Sequence, residues 1–403
     1  MGQFEKILAH VKGLSKNTSE QGIWFEKFMK HVFLTSPIYQ EMYEKVWLWT
    51  DFPYNGGRHD YGIDLVAKAR NIDEYYAIQC KFYDEEHSVS KSDVDTFLTA
   101  SGKPFYIKGT PVRYAGRVIV STTDKWTSTA NDIIDGQIPA VIRIRLRDLK
   151  EIGIDWESVS VNDLSSMQRS KKKIVRSHQK IAISNVLDGF KTADRGKLIM
   201  ACGTGKTFTA LKIAEELTKG NGNVLFLVPS ISLLNQTLLE WTKEARYDYQ
   251  VYAICSDPKV TRSKSETIDN LADTIVPATT NVEELVDGYT NLWNSSNKKS
   301  IRFFFSTYQS IDVIAKFQKI TGLEFDITIC DEAHRTTGVT LAGDNESSFV
   351  KVHDNNIINS KKRLYMTATP RIYADESKKK QLIIVPCYVQ WMMSQYMEKI
   401  FMF

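Results

Sequence analysis

The sequence has few cysteines, no long apolar run and little net charge. Its five cysteines are scattered without CxxC spacing, at Cys80, Cys202, Cys255, Cys330 and Cys387. This usage indicates reduced thiols and a cytoplasmic location. No apolar stretch is long enough to span a bilayer, and the N-terminal MGQFEKILAHVKG lacks the apolar core of a signal peptide. We therefore expect neither membrane insertion nor secretion.

The overall composition sets the class of protein. The formal net charge of +4 is too small to indicate nucleic-acid binding by itself, so any contact to DNA depends on locally arranged basic residues. Hydrophobic residues make up 42% of the chain and charged residues 25%, which is ordinary for soluble globular proteins and excludes wholesale disorder. A length of 403 residues predicts two or three domains.

A glycine-rich turn joins an apolar run to a helical pattern in KLIMACGTGKTFTALK, residues 197–212. The backbone amides of such a turn can surround a phosphate group because its glycines permit tight folding. Lys206 can reach the outer phosphates, and the hydroxyl of Thr207 can hold Mg²⁺. The strict P-loop pattern has glycine where Met200 stands, and an ordinary strand-to-helix turn with a surface lysine is the alternative. The ATP-binding residues predicted here are Gly203, Thr204, Gly205, Lys206 and Thr207.

A second motif for phosphate chemistry follows the apolar strand FDITIC. Asp331 would hold Mg²⁺ through water, Glu332 would polarise the attacking water, and His334 would couple the nucleotide site to other motifs. A helix N-terminus capped by acidic residues is the alternative. The Gly-Lys-Thr loop upstream makes nucleotide chemistry the preferred interpretation.

The region from residue 176 to about residue 375 resembles the first RecA-like domain of a superfamily 2 ATPase. Arg176 and Gln179 match the Q-motif, in which the glutamine amide reads both edges of adenine. VLFLVPSISLLNQTLLEW resembles motif Ia, and STYQS resembles another DNA-side motif. RLYMTATP resembles motif III, in which Thr367 and Thr369 would link ATP hydrolysis to DNA movement. The resemblance implies an α/β fold with a parallel P-loop sheet.

The N-terminal part places another candidate site on a predicted β-hairpin. Its strands are IDLVAKAR and EYYAIQCKFY, and their alternation supports pairing. Asp64 opens the first strand, while Gln79 and Lys81 point to the same face of the second. Asp64 and Gln79 can hold Mg²⁺, and Lys81 can stabilise charge on a phosphate, so that an activated water attacks the phosphodiester. Glu26, on the helix predicted at 22–34, can supply a further ligand.

This hairpin resembles the Mrr-type branch of the PD-(D/E)xK nucleases. GID at 62–64 followed by QCK at 79–81 carries the resemblance, since that branch often has glutamine where the wider family has a carboxylate. The helix with Glu26 and the buried strand GRVIVSTT follow the same order of elements, and VIRIRLRDL is predicted as a strand running into a turn. The resemblance implies an endonuclease domain over residues 1–160. An exposed polar strand face is the alternative.

Two polar stretches interrupt these patterns. Residues 161–175 are serine-rich and end in Lys171–Lys173, so we predict an interdomain linker whose lysines touch a DNA backbone or form a solvated charge run. Residues 257–300 are rich in polar side chains, and we predict a partly ordered insertion with short helices at best. The ATPase domain is accordingly predicted over residues 176–375.

The whole arrangement resembles the N-terminal part of a type ISP restriction-modification enzyme. The resemblance implies an enzyme that cleaves double-stranded DNA and translocates on it, with ATP and Mg²⁺ as cofactors. S-adenosylmethionine would serve only the methyltransferase part of such enzymes, which we do not find in this sequence.

The stretch 376–403 lacks the patterning of a domain start, and we interpret it as an aberrant tail. The codons of Trp391-Met392-Met393 are fixed, and a one-base shift turns this region into an acidic continuation, so a frameshift from about Lys380 is our hypothesis. Without the arginines of a second RecA-like domain, we expect ATP binding without full motor activity. The alternatives are an inactive ATP- and DNA-binding remnant and a DNA-repair helicase with a DNA-binding N-terminal domain.

Overall fold

The structure is a computed structural model that describes residues 2–57, 62–70, 72–255, 271–295, 299–333 and 350–368. His334, Thr369 and the predicted tail lie outside these ranges. The chain forms two compact units, each built from several chain segments. The first unit comprises Met1–Lys173, Ser230–Glu244 and Cys255–Lys298, and the second comprises Ile174–Pro229, Ala245–Ile254 and Lys299–Phe403. None of the helices in the described ranges has the length and apolar character needed to cross a bilayer.

The helices of the described ranges are α1 (Gln3–Leu14), α2 (Thr18–Thr35), α3 (Pro37–Met42), α4 (Lys91–Ser101), α5 (Ser128–Ile134), α6 (Leu146–Glu151), α7 (Ser177–Gly189), α8 (Lys206–Thr218), α9 (Ile231–Glu244), α10 (Val282–Ser295) and α11 (Ile311–Thr321). The strands are β1 (Tyr43–Leu48), β2 (Leu65–Ala69), β3 (Tyr75–Lys81), β4 (Phe105–Ile107), β5 (Thr110–Val112), β6 (Gly116–Ser121), β7 (Val141–Ile144), β8 (Ile154–Asp155), β9 (Gln168–Arg169), β10 (Arg195–Ile199), β11 (Gly222–Val228), β12 (Tyr249–Ile254), β13 (Ala278–Thr279), β14 (Ile301–Thr307), β15 (Ile327–Cys330) and β16 (Arg363–Thr367).

The first unit contains a mixed five-stranded sheet in the order β1-β2-β3-β6-β7. β1, β2 and β3 are antiparallel neighbours, and β3, β6 and β7 are parallel neighbours. The predicted hairpin is therefore confirmed, with Leu65 opposite Ile78. Helix α2 packs against β1 and β3 because its buried residues recur at helical spacing. These residues are Phe25, Phe28, Met29, Val32 and Phe33.

Two segments of the first unit differ from the sequence predictions. VIRIRLRDL was predicted as a strand and turn, yet β7 leads directly into helix α6. Asp148 caps the N-terminus of this helix, because its carboxylate accepts the N–H of Arg145 at 2.9 Å. The polar insertion contains the 14-residue helix α10 rather than short helices only, since the Asn281 side chain accepts the N–H of Glu283 at 2.8 Å and acidic residues occupy its first turn.

The predicted linker at 161–175 contains local structure. β9 pairs antiparallel with β8, and the N–H of Ser170 donates to the Gly153 carbonyl at 2.9 Å. These contacts lie within the first unit, which extends to Lys173. The domain boundaries drawn from the sequence stay predictions.

Six strands of the second unit pair in the order β10-β16-β15-β11-β14-β12, and all of these pairings are parallel. β11 and β14 read as nearly continuous apolar runs and are buried along their length, as expected for parallel strands covered on both faces. The loops that follow β10, β15 and β16 share the carboxyl edge of this sheet. The predicted parallel sheet is thereby confirmed, with its nucleotide motifs on one edge.

Candidate functional site

The nuclease candidates of the first unit meet where β2 and β3 pair. Asp64 directly precedes β2, and its N–H donates to the Ile78 carbonyl at 3.0 Å. Its Oδ2 accepts the backbone N–H of Cys80 at 2.6 Å. The antiparallel register places Asp64 across from Gln79. The structure therefore brings together two residues that lie fifteen positions apart in the sequence.

The side chain of Gln79 is buried, with 3% exposure. Its Nε2 donates to the Gly62 carbonyl at 3.1 Å, while its Oε1 is buried and accepts no hydrogen bond. Burying an acceptor without a partner costs about 1–3 kcal/mol. Gly62 lies at φ +105°, and a Cβ there would stand 3.2 Å from the Phe97 nitrogen, so glycine is required. An orphaned amide oxygen beside a carboxylate fits a divalent cation, which takes oxygen ligands.

Lys81 ends β3, and its backbone lies opposite Ser121 of β6. Helix α2 passes beside this end of the strand, where Phe25 packs edge-on against Phe82 with ring centroids 5.5 Å apart. Glu26 follows Phe25 on α2 and is partly buried. The sequence-predicted set thus lies around one end of β3, although a ligand role for Glu26 stays a prediction.

The metal-ligand set is short of carboxylates. Within the described part of the chain, no group of three or more His, Cys, Asp or Glu side chains is placed to hold a metal ion. The residue across from Asp64 is Gln79, whose amide stands in the sequence pattern where the wider family has a carboxylate.

The second unit forms the phosphate-binding turn at the carboxyl end of β10. Gly203 and Gly205 have φ of 77° and 85°, a left-handed backbone that favours glycine. Gly205 precedes the first residue of α8, so the backbone amides of the helix N-terminus lie next to the turn. Thr207 is the second residue of α8, close to the position expected for a Mg²⁺-binding hydroxyl.

Lys206 joins this turn to the acidic pair after β15. Its Nζ lies 3.4 Å from Asp331 Oδ1 and 3.2 Å from Glu332 Oε1. Burial raises the pKa of Asp331, and the charge of Lys206 opposes that rise. Asp331 Oδ1 is buried, and its ion pair with Lys206 is longer than a good hydrogen bond. A buried carboxylate oxygen in such a loose ion pair fits the magnesium ion that accompanies a nucleotide.

Glu332 has an unusual backbone conformation. Its φ is +48°, although it is not a glycine. Left-handed backbone at a non-glycine residue costs about 1–3 kcal/mol and is concentrated at functional sites. The conformation coincides with the residue to which the sequence assigns water activation.

Gln179 supports the phosphate-binding turn directly, which the sequence did not predict. Its Oε1 accepts the N–H of Arg176 at 2.9 Å, and its Nε2 donates to the Thr204 carbonyl at 3.0 Å. His178 Nε2 also lies 3.1 Å from that carbonyl. A Cβ on Gly205 would stand 2.4 Å from Gln179 Nε2. The signal available in the sequence was only a polar His-Gln pair at the start of α7.

Thr367 ends β16, which lies between β10 and β15 in the sheet. Its carbonyl accepts the N–H of Met200 at 3.2 Å, so the motif III strand holds the start of the phosphate-binding turn. His334 and Thr369 are outside the described residues. The geometry thus brings together Arg176, Gln179, the turn at 203–207, Asp331, Glu332 and Thr367.

Comparison with known families agrees with this pair of sites. Residues 34–165 match the family "Restriction endonuclease", an Mrr-type catalytic domain, and residues 172–372 match "Type III restriction enzyme, res subunit". The chain joins a restriction endonuclease domain to a restriction-type helicase domain. The predicted recognition of an Mrr-like nuclease followed by a superfamily 2 ATPase is confirmed, and the protein is an enzyme.

This restriction enzyme chain is similar to solved type ISP structures. The structure "ATP-dependent Type ISP restriction-modification enzyme LlaBIII bound to DNA" superposes with a TM-score of 0.77 and 36% identity, over 93% of this chain and 23% of that one. A nuclease-deletion mutant of the type ISP enzyme LlaGI in complex with a DNA substrate mimic shows 42% identity over 51% of this chain and 19% of that one, with a TM-score of 0.41.

A curated relative matches more distantly. "Probable helicase A859L" of African swine fever virus (isolate Tick/Malawi/Lil 20-1/1983) is 28% identical over 240 residues, which is 58% of this chain and 24% of the viral protein. The restriction enzyme chain therefore spans about a quarter of the length of the relatives it matches.

Proposed function

We propose that the first unit hydrolyses phosphodiester bonds of double-stranded DNA with Mg²⁺, and that the second unit binds ATP with Mg²⁺. The buried Oε1 of Gln79, which accepts no hydrogen bond beside Asp64, is the observation that carries the nuclease part. A purely structural glutamine would be expected to use both ends of its amide, since buried polar atoms are nearly always paired.

In the nuclease site, Asp64 and Gln79 would hold the cation, with Glu26 as a further oxygen donor. Bound Mg²⁺ supplies charge neutralisation and activation of the attacking water. Lys81 would supply the ammonium group that stabilises the negative charge developing on the phosphate. The hydrogen bond from Cys80 to Asp64 keeps the carboxylate oriented before any ligand binds.

In the nucleotide site, the amides of the turn at 203–207 would receive the phosphates. Lys206 lies between Asp331 and Glu332, so its ammonium would turn from these carboxylates to the outer phosphates. Thr207 and Asp331 would hold Mg²⁺, and Glu332 would orient the attacking water. Arg176 and Gln179 would face adenine, which requires the Gln179 amide to exchange its bonds to Arg176 and Thr204 for bonds to the base. Thr367, with Thr369 and His334, would link hydrolysis to DNA movement.

DNA is the proposed substrate and track. The printed title of the LlaBIII structure describes an ATP-dependent enzyme bound to DNA, and the similarity of 36% over 93% of this chain supports the same partner here. ATP-driven translocation on DNA, coupled to cleavage, is the corresponding proposal for the longer enzyme type.

The test is cleavage of supercoiled plasmid DNA in Mg²⁺ by the 403-residue chain. Lys81→Ala should abolish nicking, because Lys81 is the side-chain cation that the proposal assigns to the phosphate charge, in addition to Mg²⁺. Lys45→Ala is the matched control, since Lys45 is an exposed lysine on β1 of the same unit. Cleavage that persists in Lys81→Ala would contradict the proposed nuclease site. Absence of cleavage at every concentration of the unmodified chain would contradict the nuclease proposal and favour a DNA-binding role.

A further inference from the structure

A buried threonine holds the backbone at Lys81 and at Tyr83, two residues later. The N–H of Thr122 donates to the Lys81 carbonyl at 3.1 Å. The Thr122 hydroxyl accepts the N–H of Tyr83 at 2.7 Å and donates to the Tyr83 carbonyl at 2.6 Å. Thr122 is only 1% exposed. The pairing of β3 with β6 is therefore continued past the end of both strands by one side chain.

The next residue, Thr123, makes hydrogen bonds to the rest of the loop that follows Lys81. Its hydroxyl lies 2.9 Å from the Glu85 carbonyl and 2.7 Å from the His87 carbonyl. It also accepts the N–H of Lys125 at 3.1 Å. Thr123 is fully buried, so these bonds are shielded from competing water.

A further hydrogen bond joins the same loop to helix α4. The Tyr83 hydroxyl donates to Asp93 Oδ1 at 2.7 Å. The other oxygen of Asp93 accepts the N–H and the hydroxyl of Ser90, each at 2.7 Å. Asp93 therefore caps the N-terminus of α4. It also accepts the hydrogen bond from Tyr83, which lies two residues after Lys81.

Helix α4 also touches the other half of the nuclease site. A Cβ on Gly62 would stand 3.2 Å from the Thr96 side chain and from the Phe97 backbone nitrogen, so the helix lies directly against this glycine. The Gly62 carbonyl accepts the hydrogen bond from Gln79. One helix thus contacts the Lys81 side of the site through Asp93 and the Gln79 side through Thr96 and Phe97.

We propose that Tyr83, Asp93 and Thr122 are positioning residues that fix Lys81 relative to Asp64 and Gln79. This inference rests on the proposed nuclease function, since it assigns the three residues to that site. They act through hydrogen bonds to the backbone and to α4. A misplacement of a catalytic group by about 1 Å can cost two orders of magnitude in rate, so loosening one bond should lower the rate by roughly tenfold.

The experiment measures single-turnover cleavage of supercoiled plasmid in Mg²⁺ and, separately, the Kd for the same DNA. Tyr83→Phe and Thr122→Val each remove one hydroxyl, and roughly tenfold slower cleavage with Kd changed by less than about twofold is expected. Thr122→Ser keeps the hydroxyl and should restore the rate to within about threefold. Tyr106→Phe, at an exposed tyrosine of β4, is the control and should cleave like the unmodified chain.

Amide exchange at residues 82–87 gives a second readout that needs no cleavage. Exchange should be faster in Thr122→Val than in Thr122→Ser, because only the latter keeps both bonds to Tyr83. Unchanged exchange in Thr122→Val, an unchanged cleavage rate in both hydroxyl deletions, or failure of Thr122→Ser to restore the rate would overturn the inference. Cleavage that survives Lys81→Ala would instead overturn the proposed function.

Discussion

Arg143 of β7 and Asp273, 130 residues later in the chain, form a buried ion pair in the first unit. Asp273 Oδ1 also lies 3.0 Å from Arg145 Nη1. All three side chains are at least 88% buried, and the Nε–H of neither arginine donates a hydrogen bond. Asp273 is thus a carboxylate partner of Arg143, which also donates to the neutral Asn131. Arg145 lies between Asp273 and Asp148, whose Oδ2 is 3.5 Å from Arg145 Nε.

We therefore expect Asp273→Ala to destabilise the first unit by about 3–5 kcal/mol, the usual cost of leaving a buried charge without its partner. Urea denaturation followed by tryptophan fluorescence measures this change. Asp287→Ala, at an exposed aspartate of α10, is the control and should shift the unfolding free energy by less than about 0.5 kcal/mol. A loss below about 1 kcal/mol for Asp273→Ala would mean that water already solvates the arginines.

Lys206→Ala should weaken ATP binding by at least about tenfold. The substitution removes the ammonium that faces the outer phosphates, and it leaves the carboxylates of Asp331 and Glu332 uncompensated beside them. Fluorescent-nucleotide titration in Mg²⁺ measures the Kd. Lys180→Ala, an exposed lysine on α7, serves as control, and equal Kd values for the two variants would contradict the assignment of the turn as the phosphate site.

Gln179→Ala separates two roles of one side chain. Loss of the bond to the Thr204 carbonyl should weaken ATP and GTP alike, because the phosphate-binding turn is shared by both nucleotides. ATP should lose more affinity than GTP, since adenine recognition is lost as well. Titration with both nucleotides measures this. Equal losses of ATP and GTP affinity would contradict a role of Gln179 in adenine recognition. An unchanged GTP affinity would contradict its role in supporting the phosphate-binding turn.

Asp148→Asn should change how stability depends on pH. Burial raises the pKa of Asp148 above 3.8, although the charge of Arg145 opposes the rise. A raised carboxyl pKa means that the folded chain holds its proton more tightly than the unfolded chain, so stability decreases as pH rises above the ordinary carboxyl pKa. The asparagine side chain does not titrate.

The unfolding free energy of Asp148→Asn relative to the unmodified chain should therefore increase as the pH rises above about 4, the ordinary carboxyl pKa. Urea denaturation at several pH values gives this difference directly, and Asp132→Asn, at an exposed aspartate of α5, supplies the baseline. A difference that stays constant with pH would show that Asp148 titrates equally in both states.

The sequence predicted those features that depend on neighbouring residues. Apolar runs gave the strands β11, β14 and β15, and the chemistry of Lys206 and Thr207 follows from a contiguous motif. Asp64 and Gln79 could be paired because a hairpin brings nearby strands together. Helix α6 was missed because its start depends on the single side-chain bond from Arg145 to Asp148.

Other features were beyond sequence reasoning because they join distant segments. The ion pair between Arg143 and Asp273 spans 130 residues, and no periodicity records it. The bond from Gln179 to Thr204 joins a helix start to a turn 25 residues later. The residues joined by each of these two contacts are polar, so their burial becomes evident only when the packing is known.

The composition of the first unit has a consequence for protein synthesis. Ala272 belongs to the same core cluster as Phe52, Phe97 and Phe105, and Asp273 supplies the charge that β7 requires. Domains generally fold as units as the chain emerges from the ribosome. The contacts that Ala272 and Asp273 add to the first unit therefore form only after the chain has been translated beyond Asp273. By then the turn at 203–207 has already been synthesised, so the first unit gains these contacts only after the start of the second unit has been made.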